Sequence, residues 1–185
     1  MMQLGNLQIT KEWTLFLDRD GVINRRIIDG YVTRPEEFEF LSNVPESIAI
    51  LTRIFNHIIV VTNQQGIGKG LYTVEDLSRV HEKMKLGVAG AGGKISAVYF
   101  APQLASENSQ MRKPGTGMAL QARNDFPDID FSKSIMVGDS RSDMEFARNA
   151  GMFAVFCGPK VSGPANTNFN SLSDFASYLA EHLRK

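Results

Sequence analysis

Two aspartates, one residue apart, close an apolar run near the start of the chain. Residues 14–21 read TLFLDRDG, so Asp18 and Asp20 come directly after Leu17. A carboxylate at the end of a buried strand costs free energy unless water or a partner compensates its charge. The pair is therefore either a solvated turn or a site that holds a metal ion and does chemistry.

Other polar groups follow three later apolar runs. In chain order these groups are Thr62, Asn63, Lys113, Asp139 and Asp143. Ligands of parallel α/β sheets bind beyond the carboxyl ends of the strands, where such groups meet. If the apolar runs are parallel strands, all of these side chains converge with the aspartate pair on one edge of the sheet.

Such a set of side chains suits metal-assisted phosphoryl transfer. Carboxylates that repel one another are stabilised by a hard dication, and their oxygen atoms suit Mg²⁺, which also binds substrate phosphate. Lys113 supplies positive charge, and the Thr62 hydroxyl can donate to phosphoryl oxygens. One aspartate can attack phosphorus to form an aspartyl-phosphate, while another protonates the leaving oxygen and then activates water.

The hydrophobic pattern predicts strands that alternate with helices. The predicted strands are 14–18, 58–62, 95–101, 134–139 and 153–157, and the predicted helices are 44–55, 73–87, 115–126, 142–151 and 172–185. Asn43 is the expected N-cap of the first helix, and Thr73 opens the second. Gly87 and Gly151 are expected to end the second and fourth helices.

Apolar strands separated by helices predict a doubly wound three-layer α/β sandwich around a mainly parallel sheet. No repeat or break in composition divides the chain, so residues 1–185 are expected to form a single domain. The interval from Asp20 to Thr62 has room for a flap hairpin and one helix. Neither this interval nor the next, up to Lys113, accommodates a large cap domain.

Composition excludes several classes of protein. Of 185 residues, 43% are hydrophobic and 22% charged, and 20 basic residues balance 20 acidic ones. This balance argues against a nucleic-acid or membrane-surface partner, which usually requires a basic excess. The single cysteine, Cys157, excludes an internal disulfide and a four-cysteine zinc site. With no signal-like start or membrane-spanning run, a cytoplasmic protein, and a monomer, is expected.

Four ordered motifs, DRDGV, VVTN, RKP and GDSRSD, resemble those of the haloacid dehalogenase (HAD) superfamily of phosphohydrolases. The resemblance spans roughly residues 13–160. It implies that Asp18 is the nucleophile and Asp20 the general acid/base. It also implies that Asp18, the backbone carbonyl of Asp20 and Asp139 bind Mg²⁺. Thr62 and Lys113 would then hold the phosphoryl group, with Asp143 in a supporting role.

The segments GYVTRPEEFEFL, VVTNQQGIGKG and RKPGTGM resemble one branch of that superfamily more closely. This branch contains D-glycero-D-manno-heptose 1,7-bisphosphate phosphatase and histidinol-phosphate phosphatase. Many of its members carry a C-P-H…C-x-C zinc loop before RKP. Here the corresponding positions hold Ala101, Gln103, Ser109 and Met111, so no structural zinc is expected.

The resemblance implies a small phosphate ester as substrate, with heptose bisphosphate ranked above histidinol phosphate. Arg112 is the main candidate for binding a second anionic group, and Lys69 and Lys160 are further candidates. A bisphosphate would use that positive charge, whereas the amine of histidinol phosphate would be repelled. Asn63, at the end of its strand, is expected to contact substrate.

A phospho-receiver or regulatory binding module is the alternative from another class, since it also places aspartates at strand ends. Receivers arrange their acidic pair, phosphorylated aspartate, hydroxyl and lysine in a different chain order. A catalytically silent scaffold is the third possibility, and the complete motif set argues against it. The glycine-rich stretch 87–93 is interpreted as a flexible connection, and the histidines, including His81, as ordinary surface or helix residues.

Overall fold

The computed structural model describes residues 3–183, and its centre is a six-stranded parallel sheet. The strands are β1 (Thr14–Leu17), β2 (His57–Asn63), β3 (Ala97–Ala101), β4 (Ser134–Gly138), β5 (Phe153–Cys157) and β6 (Thr167–Phe169). Their order across the sheet is β3-β2-β1-β4-β5-β6, and every neighbouring pair runs parallel. The chain thus winds outward from β1 in both directions, which confirms the predicted doubly wound sheet.

Helices cover both faces of the sheet. They are α1 (Val44–Ile54), α2 (Val74–Gly90), α3 (Gly117–Asp125), α4 (Arg141–Ala150) and α5 (Leu172–His182). Alternate strand residues face opposite layers: Leu15 and Leu17 pack in a core with α1, α2 and α5, whereas Phe16 packs in a core with α3 and α4. Because every residue of β1 is buried, the charges that follow it enter a site already walled by two apolar layers.

Side-chain caps fix where the site-bearing helices begin. In α2 the Thr73 hydroxyl accepts from the Asp76 amide, and the Asp76 carboxylate accepts from the Thr73 amide. Ser140 and Asp143 form the same reciprocal pair in α4, which ends at the left-handed Gly151. Asn43 is the N-cap residue of α1, as predicted, but it caps the helix without a side-chain bond. Asn43 adopts a left-handed conformation, φ 58° and ψ 18°, and its side chain makes no capping bond.

Helix α2 does not end at Gly87 but continues to Gly90, so the flexible connection expected from residue 87 begins later. The ring of Phe40 lies against Gly87, where an added Cβ would come within 2.5 Å of the ring. The glycine therefore serves close packing between the helix and residue 40. Its place inside a helix costs roughly 0.5–1 kcal/mol relative to alanine.

Two features of the connections differ from the predictions. Strand β6 was not predicted, because its three residues are only half-buried at the edge of the sheet. The expected flap hairpin is reduced to two backbone bonds, from Arg25 N–H to Glu39 O and from Leu41 N–H to Ile23 O. We call residues 25–31 the flap segment. It has no regular secondary structure, and its Ile28 is 85% exposed.

Within residues 3–183 no large cap domain is present, since the interval from β1 to α1 holds only the flap segment and short turns. None of the helices in this range has the length and apolar character that crossing a membrane requires.

Candidate active site

Four charged side chains meet at the carboxyl end of the sheet, and we call them the strand-end cluster: Asp18, Lys113, Asp139 and Asp143. Asp18 and Asp139 directly follow β1 and β4, Asp143 lies in the first turn of α4, and Lys113 lies in the loop before α3. The Lys113 Nζ is 2.8 Å from Asp18 Oδ1 and 2.6 Å from Asp143 Oδ1. It also donates to the carbonyl of Val61 at 2.8 Å. The ammonium therefore fixes two carboxylates and the end of β2 at once.

Burial dominates the electrostatics of the cluster. It raises the pKa of Asp18 to about 7, with the charge of Asp143 adding to the effect and Lys113 opposing it. It also raises the pKa of Asp139 to about 6, against the opposing charge of Arg26. Burial alone would lower the pKa of Lys113, but Asp143 and Asp18 outweigh it and raise that pKa. Ionisation of Asp18 and Asp139 is therefore disfavoured unless a further positive charge enters the cluster.

The donor set fits a hard divalent cation. Carboxylate oxygens of Asp18, Asp139 and Asp143 lie within 4.8 Å of one another. The guanidinium of Arg26 already bonds two of the candidate metal ligands. Its Nη2 donates to Asp139 Oδ1 at 3.0 Å and to the Asp20 carbonyl at 3.2 Å. The oxygens of Asp143 are occupied by Lys113 and Ser140. Asp18, Asp139 and the Asp20 carbonyl are therefore the groups with room for a metal ion.

The Asp20 carboxylate faces a different set of partners. Arg19 binds both of its oxygens, Asn24 donates to Oδ1 at 2.9 Å, and Gln64 donates to Oδ2 at 2.8 Å. Burial raises the pKa of Asp20, but the charge of Arg19 and these hydrogen bonds outweigh it, so the pKa is lowered. Arg19 is completely buried and contacts His81 Nε2 at 3.2 Å. The Asp20 side chain is thus held apart from the strand-end cluster.

Glycine at position 21 lets the chain turn between these two environments. Gly21 has φ 96°, and an added Cβ would lie 2.0 Å from Asp139 Oδ2. A side chain there would be strained by its backbone and would push Asp139 aside. The aspartate pair therefore depends on the glycine that follows it in the sequence.

The end of β2 contributes Thr62 and Asn63. Both line the cleft above the cluster. The substrate contact of Asn63 stays a prediction, and its side-chain amide donates to the Lys113 carbonyl at 3.1 Å and accepts from the Lys113 amide at 3.0 Å. This pair of bonds anchors the loop that carries the lysine. Its first structural role is thus to position Lys113.

The cleft has a volume of about 620 Å³, and both acidic and basic side chains line it. Arg26, Lys69, Arg112 and Lys113 line it, and Lys69 Nζ lies 3.1 Å from the Tyr31 hydroxyl. The Nη1 atom of Arg112 is buried, with no hydrogen-bond partner within residues 3–183. Lys160 is not brought to the cleft: it is exposed in the loop after β5.

Sequence reasoning missed three residues of this region: Arg26, Gln64 and His81. Arg26 lies in an irregular loop, 113 residues from Asp139, and no motif marks it. Gln64 lies within the segment VVTNQQGIGKG, whose resemblance to one branch of the superfamily was the available signal. His81 is buried rather than on the surface, and its pKa is lowered to about 3 by burial and by the charge of Arg19.

Comparison with known proteins gives consistent results. A family model described as polynucleotide kinase 3 phosphatase matches residues 16–161. A D-glycero-alpha-D-manno-heptose-1,7-bisphosphate 7-phosphatase of Mycobacterium tuberculosis is 37% identical over 171 residues, covering 89% of this chain and 90% of that protein. One of the same name from Burkholderia mallei is 42% identical over 149 residues, covering 77% of each chain.

A solved structure is similar over nearly the whole chain. It is the D,D-heptose 1,7-bisphosphate phosphatase of B. bronchiseptica, complexed with magnesium and phosphate. The TM-score is 0.81 at 28% identity, and the match covers 91% of this chain and 98% of the other. The motifs, the parallel sheet with its acidic edge and these relatives agree, and the chain belongs to the HAD superfamily of phosphatases.

Proposed function

We propose that the protein is a Mg²⁺-dependent phosphomonoester hydrolase that acts through an aspartyl-phosphate on a sugar phosphate, D-glycero-D-manno-heptose 1,7-bisphosphate. The observation that carries the proposal is the Asp18–Lys113–Asp143 contact in a cleft that Arg26, Lys69 and Arg112 also line. It holds one carboxylate oxygen of the nucleophile against an ammonium that remains charged. The alternative of a phospho-receiver is disfavoured by the relatives, which are named as phosphatases.

In the first step an oxygen of Asp18 attacks phosphorus and the bond to the leaving oxygen breaks. Lys113 fixes Oδ1 of Asp18, and the Arg19 amide donates to the same oxygen at 2.8 Å. These two bonds orient the carboxylate and leave Oδ2 as the attacking atom. Thr62 donates to a phosphoryl oxygen, and Asp20 gives its proton to the departing sugar oxygen.

In the second step Asp20 takes a proton from water, and the resulting hydroxide attacks the phosphorus of the aspartyl-phosphate. Asp18 leaves as a free carboxylate, and inorganic phosphate is released. The lowered pKa of Asp20 keeps its carboxylate ionised, as a proton acceptor must be. Its role as an acid requires the proton to be held transiently, when substrate phosphate adds negative charge nearby.

The metal would be held by Asp18, Asp139 and the Asp20 carbonyl, where Arg26 now donates. When bound, Mg²⁺ supplies positive charge that offsets the phosphoryl oxygens and the crowded carboxylates. The proposal of magnesium is supported by the acidic cluster and by the magnesium and phosphate named for the B. bronchiseptica structure.

The choice of a bisphosphate is supported by basic side chains in the cleft that have no role in the two proposed steps. Arg112 and Lys69 line the cleft, and the buried Nη1 of Arg112 lacks a partner among the described residues. A buried donor without a partner costs free energy that an incoming anion would recover. The second phosphate of a sugar bisphosphate provides such an anion.

The test is a comparison of kcat/KM for heptose 1,7-bisphosphate, heptose 7-phosphate and histidinol phosphate, with Mg²⁺ or with a chelator. We expect the bisphosphate to be preferred and the chelator to abolish turnover. Arg112→Ala should lower kcat/KM for the bisphosphate about 10–100-fold, as expected for a lost hydrogen bond to a charged group, and affect the monophosphate less. Arg53→Ala, at an exposed position of α1, is the matched control. A preference for histidinol phosphate, or unchanged selectivity in Arg112→Ala, would contradict the substrate assignment.

The zinc prediction is tested separately. Ala101, Gln103, Ser109 and Met111 offer neither thiolate nor imidazole ligands. Protein purified without added metal should therefore contain no stoichiometric zinc by elemental analysis. One tightly held zinc per chain would contradict this expectation.

A further inference from the structure

Gln64 joins the two parts of the site that the proposed function uses. It directly follows β2 and is completely buried. Its Nε2 donates to Asp20 Oδ2 at 2.8 Å and to Thr62 Oγ1 at 2.9 Å. Its Oε1 accepts from the Tyr72 hydroxyl at 2.5 Å. Both amide hydrogens and the carbonyl of this one side chain are therefore in use.

The orientation of the amide follows from the chemistry of its neighbours. An ionised carboxylate can only accept, so the NH₂ group of Gln64 must face Asp20. The carbonyl oxygen then faces Tyr72, which must donate. Burial raises the pKa of Tyr72 well above its ordinary value, so its hydroxyl keeps the proton that this bond needs. The exchanged orientation would place an oxygen against the Asp20 carboxylate, so Asp20 excludes it. Tyr72 then holds the retained orientation by donating to the carbonyl oxygen of Gln64.

This arrangement sets the direction of the Thr62 hydroxyl. Because Thr62 Oγ1 accepts from Gln64, its own hydrogen is available to another acceptor. No acceptor for that hydrogen occurs within residues 3–183, and Thr62 lines the cleft. The hydroxyl hydrogen is therefore free to be donated to a phosphoryl oxygen.

Gln64 also fixes the position of the Asp20 carboxylate, through its hydrogen bond to Oδ2. Arg19 and Asn24 also hold that carboxylate, but neither of them bonds Thr62. Gln64 alone among the three connects the acid/base to the side chain that donates to the phosphoryl group. Every hydrogen-bonding group of the Gln64 side chain is used by Asp20, Thr62 and Tyr72.

We propose that Gln64, oriented by Tyr72, is a positioning residue that aligns the Asp20 carboxylate with the Thr62 hydroxyl for proton transfer to and from the phosphate ester. The inference rests on the proposed function, because it requires Asp20 to act as acid/base and Thr62 to donate to phosphate. Gln64 itself is not among the residues that line the cleft.

The first test compares Gln64→Met, similar in shape but without the amide, on two substrates. The kcat for an alkyl phosphate should fall about 10–100-fold, as expected when a buried hydrogen bond is lost. The loss should be smaller for p-nitrophenyl phosphate, whose leaving group needs little protonation. A purely structural role would lower kcat equally for both. Gln103→Met, at a partly buried glutamine outside the cleft, is the matched control.

Tyr72→Phe provides a milder variant in case Gln64→Met folds poorly. It removes only the hydroxyl that orients the amide, and a loss of about 2–10-fold on the alkyl phosphate is expected. The same dependence on leaving group should appear. Equal losses on the two substrates, or none, in both variants would overturn the proposal.

A double-mutant cycle gives the decisive measurement. If Gln64 acts mainly through Asp20, Gln64→Met should cost much less in the Asp20→Asn background than in wild type, because coupled residues are non-additive. Full additivity would overturn the inference while leaving the proposed function intact. A folded wild type that hydrolyses neither ester would instead overturn the proposed function, and this inference with it.

Discussion

The strand-end cluster and the flap segment face the same cleft, yet they are built in opposite ways. The cluster is buried where β1 and β4 end: the Lys113 side chain is 2% exposed and that of Asp143 is fully buried. The flap segment has no regular structure, and its Arg26 side chain is 50% exposed. The charged groups proposed for the chemistry are thus held in a buried cluster, whereas an exposed loop forms another part of the cleft lining. Substitutions in the buried cluster should therefore have larger effects than substitutions in the exposed flap segment.

The largest effect is expected from Asp18→Asn. An amide cannot act as the nucleophile, so kcat should fall about 10³–10⁶-fold, the range seen when a covalent nucleophile is removed. Lys113 keeps its contact with Asp143, so the fold should persist. Steady-state kinetics alongside a melting curve is the measurement. Near-normal turnover in a folded variant would remove Asp18 from the nucleophile role.

Lys113→Met should be the most destabilising of these substitutions. It leaves two buried carboxylates without their counter-charge, and breaking such a buried pair typically costs about 3–5 kcal/mol. Lys133→Met is the control, because its ion pair with Glu12 is exposed and worth about 0–1 kcal/mol. Urea unfolding at neutral pH measures both. Equal losses of unfolding free energy would show that the cluster is not held as tightly as its geometry indicates.

Buried His81, which contacts Arg19, should make the free energy of unfolding fall in acid. The pKa of His81 is about 3 in the folded protein against an ordinary 6.5, because burial and then Arg19 disfavour its charged form, with Asp20 opposing them and Lys85 adding a little. Between these values the unfolded chain binds a proton that the folded protein does not. The stability from this group is complete above pH 6.5 and falls as pH drops towards 3, by up to about 1.4 kcal/mol per pH unit.

His81→Gln removes this titration while it keeps an acceptor for Arg19. Its unfolding free energy should therefore decline less steeply than that of wild type between pH 6.5 and 4. His182→Gln, at an exposed position ending α5, should follow wild type. Parallel pH profiles for wild type and His81→Gln would show that His81 does not carry the acid sensitivity.

The smallest effect is expected in the flap segment. Arg26→Gln removes the cation that now bonds Asp139 and the Asp20 carbonyl, so Mg²⁺ should bind without displacing it. Because the pair is partly exposed and worth about 0–1 kcal/mol, calorimetry should show an affinity gain of about 2–5-fold. Arg25→Gln, whose side chain pairs with Glu39 instead, is the matched control. An unchanged or weaker affinity in Arg26→Gln would mean that the arginine does not compete with the metal.

The same difference between the two regions explains what could be predicted from the sequence. Asp18 and Asp139 directly follow apolar runs, so knowing the strands predicts where their side chains converge, whereas Lys113 lies in a loop and its RKP motif marked it. Arg26 reaches Asp139 through a long side chain from an irregular loop, a contact that no periodicity encodes. Gln64 stands beside a recognised motif, but its role depends on Tyr72, whose arrival at the same spot is set by tertiary packing. Strand β6 was missed because its three residues carry almost no apolar pattern.

The most direct test of the account is to trap the covalent intermediate. Asp20→Asn should slow the hydrolysis of the aspartyl-phosphate, so rapid acid quenching after mixing with substrate and Mg²⁺ should leave phosphorylated protein. Peptide mass spectrometry should then find the mass of one phosphoryl group on the peptide containing Asp18, and none in Asp18→Asn/Asp20→Asn. A phosphoryl group on another residue, or turnover by Asp20→Asn with no labelled peptide at any time, would contradict the assignment of Asp18 as the nucleophile.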